Sequence, residues 1–92
     1  MTNKKIYKIK INTKEKVSID KNKEYVVWVD NYGNTQINII GEGYDVFDTI
    51  DIIKHDNRFQ AIKKIIAKDN VDMTYDIQDS YQEYTGTEVK VL

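Results

Sequence analysis

The apolar period of this chain changes at Gly41-Glu42-Gly43. Before that break, apolar residues recur at every second position; after it, they recur at three and four. The first spacing alternates side chains across the two faces of a strand, and the second gathers them on one face of a helix. The change predicts a mixed fold, with a sheet built before the break and helices after it. The strongest strand runs from Glu24 to Asp30, with Tyr25, Val27 and Val29 on one face and Val26 and Trp28 on the other. Apolar residues on both faces predict a central place in a sheet. Asn31-Tyr32-Gly33-Asn34 follows as a hairpin loop, with Gly33 able to take a positive φ. Gln36 to Ile40 then returns with Ile37 and Ile39 on one face.

Upstream of the hairpin, Tyr7, Ile9 and Ile11 alternate with Lys8 and Lys10, and Val17 and Ile19 alternate over a shorter piece. The first is the pattern of a half-buried strand whose lysines also suit a sheet edge. Asp20-Lys21-Asn22-Lys23 reads as a turn. Residues 4–40 are therefore expected to form an antiparallel meander.

Past the break, Val46, Phe47, Ile50 and Ile53 have helical spacing, and Asp45, Asp48 and Asp51 favour a helix start there. His55-Asp56-Asn57 interrupts the pattern. A second helical run is expected with Phe59, Ile62, Ile65 and Ile66 inside and Lys63, Lys64 and Lys68 outside, capped by Asp56 or Asn57. Residues 70–84 carry two patterns. Val71, Met73, Tyr75 and Ile77 alternate as in a strand, while Met73, Ile77, Tyr81 and Tyr84 run as in a helix. The helical pattern is the longer and is preferred. Gly86 ends it, and Thr87 to Leu92 has the character of a closing strand.

The expected fold is α+β, an antiparallel β-sheet of three to five strands with helices packed on one face, as a single domain over residues 1–92. The expected core is Ile9, Ile11, Val27, Val29, Ile37, Ile39, Phe47, Ile50, Phe59, Ile62 and Ile66. A chain of 92 residues buries a small core. With no cysteine, neither a disulfide nor a thiolate–metal site supports it, which suits the cytoplasm better than a secreted scaffold. The N-terminal Met-Thr-Asn-Lys-Lys has no apolar stretch behind it, so no signal peptide is expected. No membrane association is expected either, because no apolar run approaches the roughly 18 residues of a span. The Lys, Ile, Asn, Asp and Tyr bias and the lack of proline suggest an AT-rich coding source such as a low-GC bacterium or its phages.

Charge is distributed unevenly along the chain. Residues 1–40 hold eight lysines against four acids, and residues 41–92 hold eleven acids against six bases. From Asp69 to Glu88 there are six carboxylates (Asp69, Asp72, Asp76, Asp79, Glu83 and Glu88) and no Lys or Arg. The first five fall at gaps of 3, 4, 3 and 4, and Tyr75, Tyr81 and Tyr84 are interleaved with them. On one helix, Asp69 to Glu83 would span about 21 Å with one carboxylate per turn. A single nucleic-acid strand presents one negative charge per 3.4 Å of axis, so the row is sparser but of the same order. Such a row suits a cationic surface built to hold phosphates, and tyrosines add rigid contact area. The ordinary explanation is a solvated helix face. Solvated faces, however, usually mix both signs. The residues expected to bind a partner are Asp69, Asp72, Tyr75, Asp76, Asp79, Tyr81, Glu83 and Tyr84.

The alternative site is the basic N-terminal strand. Lys4, Lys5, Tyr7, Lys8 and Lys10, with Trp28 nearby in the sheet, have the composition of a stacking and phosphate-binding platform for a single strand. Edge protection explains the same lysines. Gly41-Glu42-Gly43 lacks the third glycine of a dinucleotide loop, since that position is Val46, and reads as a turn before a helix. Asp20-x-Asn22-x-Glu24 resembles a calcium loop, but Tyr25 stands where glycine is needed and Asn31 where glutamate is needed. A lone His55 between acids suits a helix end better than a metal site. One histidine, no cysteine, and Ser18 and Ser80 outside any nucleophile motif leave little for catalysis. Neither enzymatic activity, nor a cofactor, nor a metal is expected.

The layout from the Val26-Val27-Trp28-Val29-Asp30-Asn31-Tyr32-Gly33-Asn34 hairpin through Ile40, a helix, and an acid- and tyrosine-rich stretch before a short apolar end resembles small anti-CRISPR proteins of phages. The likeness covers roughly residues 24–92 and is one of layout and composition; the basic strands at 4–19 have no counterpart in it. Several such proteins set a three-stranded antiparallel sheet beside helices, and some use acidic residues to occupy the site where a Cas nuclease grips DNA. The resemblance implies that Asp69, Asp72, Asp76, Asp79 and Glu83 form such a surface. Immunity proteins and antitoxins share the same logic. The function expected is that of a non-enzymatic inhibitor in the bacterial host cytoplasm, masking the basic site of a nuclease or Cas effector. Alternatives are a small nucleic-acid-binding module, or self-association of basic and acidic ends as a homodimer.

Overall fold

The structure, a computed structural model, describes residues 19–92. In chain order they form β1 (Tyr25–Asp30), β2 (Thr35–Ile39), α1 (Val46–Lys54), β3 (Phe59–Ala67), a 3-10 turn (Lys68–Asn70), β4 (Val71–Asp72) and α2 (Thr74–Thr85). The strands make one antiparallel sheet in the order β2-β1-β3-β4. The fold is α+β, as the change of period predicts. The expected strands within residues 4–18, with core residues Ile9 and Ile11, lie outside the described residues.

The hairpin of β1 and β2 owes its turn to Asp30. Its Oδ1 accepts from the amides of Tyr32 and Asn34 at 3.0 and 2.9 Å, and its Oδ2 accepts from Gln36 Nε2 at 3.0 Å. Gly33 takes a φ of 86°, which a residue with a Cβ rarely adopts. Burial pushes the Asp30 carboxyl up. The Asn34, Gln36 and Tyr32 hydrogen bonds and the Arg58 charge outweigh burial and hold it below its ordinary value.

All six residues of β1 are buried, in keeping with its central place. The face that meets the helices, however, is that of Val26 and Trp28, which pack with Ile50, Ile53, Ile62, Ile65, Tyr81 and Val89. Val27 and Val29, expected in that core, are buried on the opposite face, and Ile37 there is half-buried. Ile39 is 52% exposed and is not a core residue. Because both faces of β1 are apolar, alternation alone does not tell which one takes the helices.

The expected second helix is instead β3. It pairs with β1, but the register slips between Val27 and Trp28 and again between Val29 and Asp30. Each slip leaves an extra residue, Lys63 and then Gln60, in β3 without an opposite partner. A bulge keeps residues three apart on the same face, so Phe59, Ile62 and Ile65 all reach the helix-side core. Two bulges thereby imitate a helical period in a strand. Asp56 caps no helix; it pairs with Arg58 at 2.8 Å and accepts the Arg58 amide.

Helix α1 stands where its spacing predicts, with a reciprocal capping box between Asp45 and Asp48 at its start. His55 is its C-cap, with Nδ1 at 2.7 Å from the Asp51 carbonyl. Helix α2 begins later than its pattern suggests. Asp69 and Asn70 both take left-handed φ values, 63° and 61°, in the tight turn to β4, a conformation that Asp and Asn tolerate better than other side chains. Thr87 to Leu92 forms no full strand. It makes one parallel bridge to β3, in which the Ile62 amide donates to the Lys90 carbonyl and the Leu92 amide to the Ile62 carbonyl, each at 2.9 Å.

Candidate functional site

At 3.6 residues per turn, each residue of α2 lies about 100° around the axis from the last. Thr74, Ile77, Gln78, Tyr81 and Thr85 fall together on the side that faces the sheet; Thr74 and Tyr81 are buried, and Ile77 and Gln78 half-buried. Asp76, Asp79 and Glu83 fall within an arc of about 60° on the opposite side, and all three are exposed. They cover about 10 Å of helix axis. The helix carries no Lys or Arg, and among the described residues the one ion pair is Arg58–Asp56, so the row has no ion-pair partner there. Tyr75 flanks the row and is 78% exposed.

The other expected members leave the row for identifiable reasons. Asp72 precedes the helix, and its Oδ1 accepts from both the hydroxyl and the amide of Thr74. Thr74 Oγ1 in turn accepts from the Ile65 amide at 3.0 Å, tying the start of α2 to β3. The Thr74 hydroxyl, then its amide, holds the Asp72 carboxyl below its ordinary value against some desolvation, with the Lys64 charge adding to the effect. Asp72 thus compensates for a helix whose N-cap, Met73, has no side-chain acceptor. Asp69 sits in the tight turn, with its amide donating to the Lys21 carbonyl at 2.8 Å. Glu88 lies beyond the helix, exposed beside the buried Val89. The helical spacing of five carboxylates therefore outruns the helix itself.

Tyr81 is a correction: only 3% of it is exposed, and it supplies no contact area to a partner. Its hydroxyl donates to Asp51 Oδ1, and Lys54 Nζ lies 5.1 Å from its ring centroid. Burial, aided by the Asp51 hydrogen bond and charge, pushes its phenol up to about 12. Tyr84 is 71% exposed and stacks on Phe47, with centroids 5.3 Å apart. The surface that remains is Tyr75, Asp76, Asp79 and Glu83, with Tyr84 at its margin.

Trp28 is also a correction. It is 3% exposed, donates from Nε1 to Asn38 Oδ1 at 2.9 Å, and packs beside Phe59 and under Arg58, so no base can stack on it. Lys4, Lys5, Tyr7, Lys8 and Lys10 lie outside the described residues. Gly41 to Tyr44 forms a turn leading to α1, closed by the Tyr44 amide on the Gly41 carbonyl. Among the described residues, no group of three or more His, Cys, Asp or Glu is arranged to hold a metal. No helix among them is long and apolar enough to cross a membrane.

One surface feature had no signal in the sequence. A groove of about 280 Å³ opens between the start of α1, the start of α2 and the end of β3, with Tyr44 and Glu24 among its lining residues. Its walls come from α1, β3 and α2 and from the segments that flank β1, β2 and the two helix starts, and no local spacing brings them together. Comparison of the chain with protein-family models, with curated proteins and with solved structures finds no match.

Proposed function

We propose that this protein is a non-enzymatic, stoichiometric inhibitor that lays the outer face of α2 into a basic nucleic-acid-binding site. The partner is a nuclease or CRISPR effector of a bacterial host, met in its cytoplasm, and the role is phage anti-defence. The single observation that supports the reading most is the row Asp76, Asp79 and Glu83, exposed on one side of a helix that carries no base. Successive members rise about 4.5 and 6 Å along the axis, close enough to the charge spacing of a nucleic-acid strand to compete for the same cations. Attraction of this kind speeds encounter and weakens with salt. Tyr75 beside the row offers rigid contact area of the kind enriched at binding hot spots. An immunity protein or antitoxin would use the same face and differ only in its partner.

The experiment is affinity capture against a panel of nucleases and Cas effectors at low and high salt, using the native chain and an Asp76→Lys, Asp79→Lys, Glu83→Lys variant. The proposal expects one basic partner, held at low salt, released at high salt and lost with the variant. A partner captured equally well by the charge-reversed chain would sink it.

A further inference from the structure

The groove between the two helix starts includes none of Asp76, Asp79 and Glu83 in its lining. Its floor is aliphatic, from Ile40, Ile65, Met73 and Ile77. Tyr44 lines it and is itself 62% exposed, which leaves its ring open to a ligand. Glu24 and Asp45 also line it, and no basic side chain does so among the described residues. Asp45 and Asp48 cap each other across the first turn of α1, so two carboxylates stand at that helix start. A helix N-terminus contributes about half a unit of positive charge, which offsets only part of this. The groove therefore carries two carboxylates, Glu24 and Asp45, and, among the described residues, no base beside its apolar lining.

A purely apolar anchor would fill the floor but strip water from the carboxylates without replacing it. A bare cation would pair with the carboxylates and leave the floor empty. The complement is a side chain with an apolar stem and a planar cationic head. We propose that this groove receives an arginine side chain of a partner protein, with its stem on Ile40, Met73 and Ile77 and its guanidinium between the Tyr44 ring and the Glu24 and Asp45 carboxylates. Arginine is favoured over lysine because its guanidinium stacks on aromatic faces, pairs with carboxylates through two donors and is more weakly hydrated. The site stands apart from the row on α2: it needs a partner that displays an arginine, whatever α2 binds.

The test is an NMR titration of the isotope-labelled full chain with N-acetyl-arginine N-methylamide, using the citrulline analogue as a neutral isostere. The arginine probe should give saturable shifts at the amides of Ile40, Tyr44, Ala67 and Ile77, with a dissociation constant on the order of millimolar. The citrulline probe should bind at least about fivefold more weakly, as should the arginine probe on Tyr44→Ala or Glu24→Gln. Both substitutions alter exposed or half-exposed side chains, and an unchanged remainder of the spectrum checks the fold. The Asp76→Lys, Asp79→Lys, Glu83→Lys variant should bind the probe as the native chain does, so this site and the α2 surface fail separately. Equal response to both probes, shifts confined to the outer face of α2, or no saturable shift would each overturn the proposal.

Discussion

The hydroxyl of Tyr81 donates to Asp51 Oδ1 at 2.7 Å, linking α2 to α1 across thirty residues of chain. The acceptor is half-buried and the donor fully so, which makes this bond a structural tie rather than a surface contact. Tyr81→Phe keeps the ring in the core and removes only the donor. The loss should be about 1–2 kcal/mol, as for a hydrogen bond to a charged acceptor that water still reaches in part, read from urea denaturation at neutral pH.

The same residue sets an alkaline limit. Its phenol is raised from 10 to about 12 in the folded chain. A group whose folded value is raised stabilises fully below its unfolded value and loses that contribution as pH climbs through the folded one. Stability should therefore fall between about pH 10 and 12. Subtracting the Tyr81→Phe profile from the native profile isolates this residue from the other tyrosines. A difference that stayed flat across the window would show that Tyr81 ionises freely when folded.

On the acid side, the sign is reversed. The carboxyls of Asp30, Asp56 and Asp72 are all held below their ordinary 3.8, Asp56 at about 2 by the Arg58 guanidinium and amide. Their contribution is complete above the unfolded value and is lost as pH falls through the folded ones, so acid destabilisation should begin near pH 4 and continue toward 2. Asp30→Asn should weaken the fold at neutral pH, because an amide group replaces a carboxylate that accepts three hydrogen bonds. It should also flatten the acid slope. Circular dichroism against pH on both chains checks the two effects together.

The C-terminal segment is part of the core even though it forms no full strand. Val89 is fully buried, and the Val91 bridge fills the outer edge of β3 opposite Ile62. Val89→Ala should cost about 2 kcal/mol through lost burial and the cavity left behind. The Leu92 amide, bonded to the Ile62 carbonyl, should exchange more slowly than an amide without such a bond.

How far the sequence discloses this architecture depends on whether a signal is local. The β1–β2 hairpin was legible because Asp30 to Asn34 contains both the turn acceptor and the glycine that the loop demands. Helix α1 was legible because Asp45 and Asp48 cap it within its own first turn. β3 was not, because Gln60 and Lys63 bulge only against β1, and a pairing partner thirty residues away leaves no local trace. The acidic row was half legible. Asp76, Asp79 and Glu83 share a face as their spacing says, but Asp69 and Asp72 continue the spacing into a turn and a cap. The groove under Tyr44 lay wholly beyond local reading.

The row on α2 makes its own separation of binding from stability. Asp79 and Glu83 are exposed and, among the described residues, lie in no ion pair, so neutralising them removes repulsion without removing a partner. Asp79→Asn with Glu83→Gln should leave folding stability within about 0.5 kcal/mol of the native value. A solvated face predicts nothing further. A surface held against cations predicts, in addition, slower association with the captured partner and a shallower dependence of that rate on salt, because two of the three charges that steer the encounter are gone. Stopped-flow association at two ionic strengths, set beside denaturation of the same variant, reads both quantities. Unchanged association would return these carboxylates to the role of solubilising a helix.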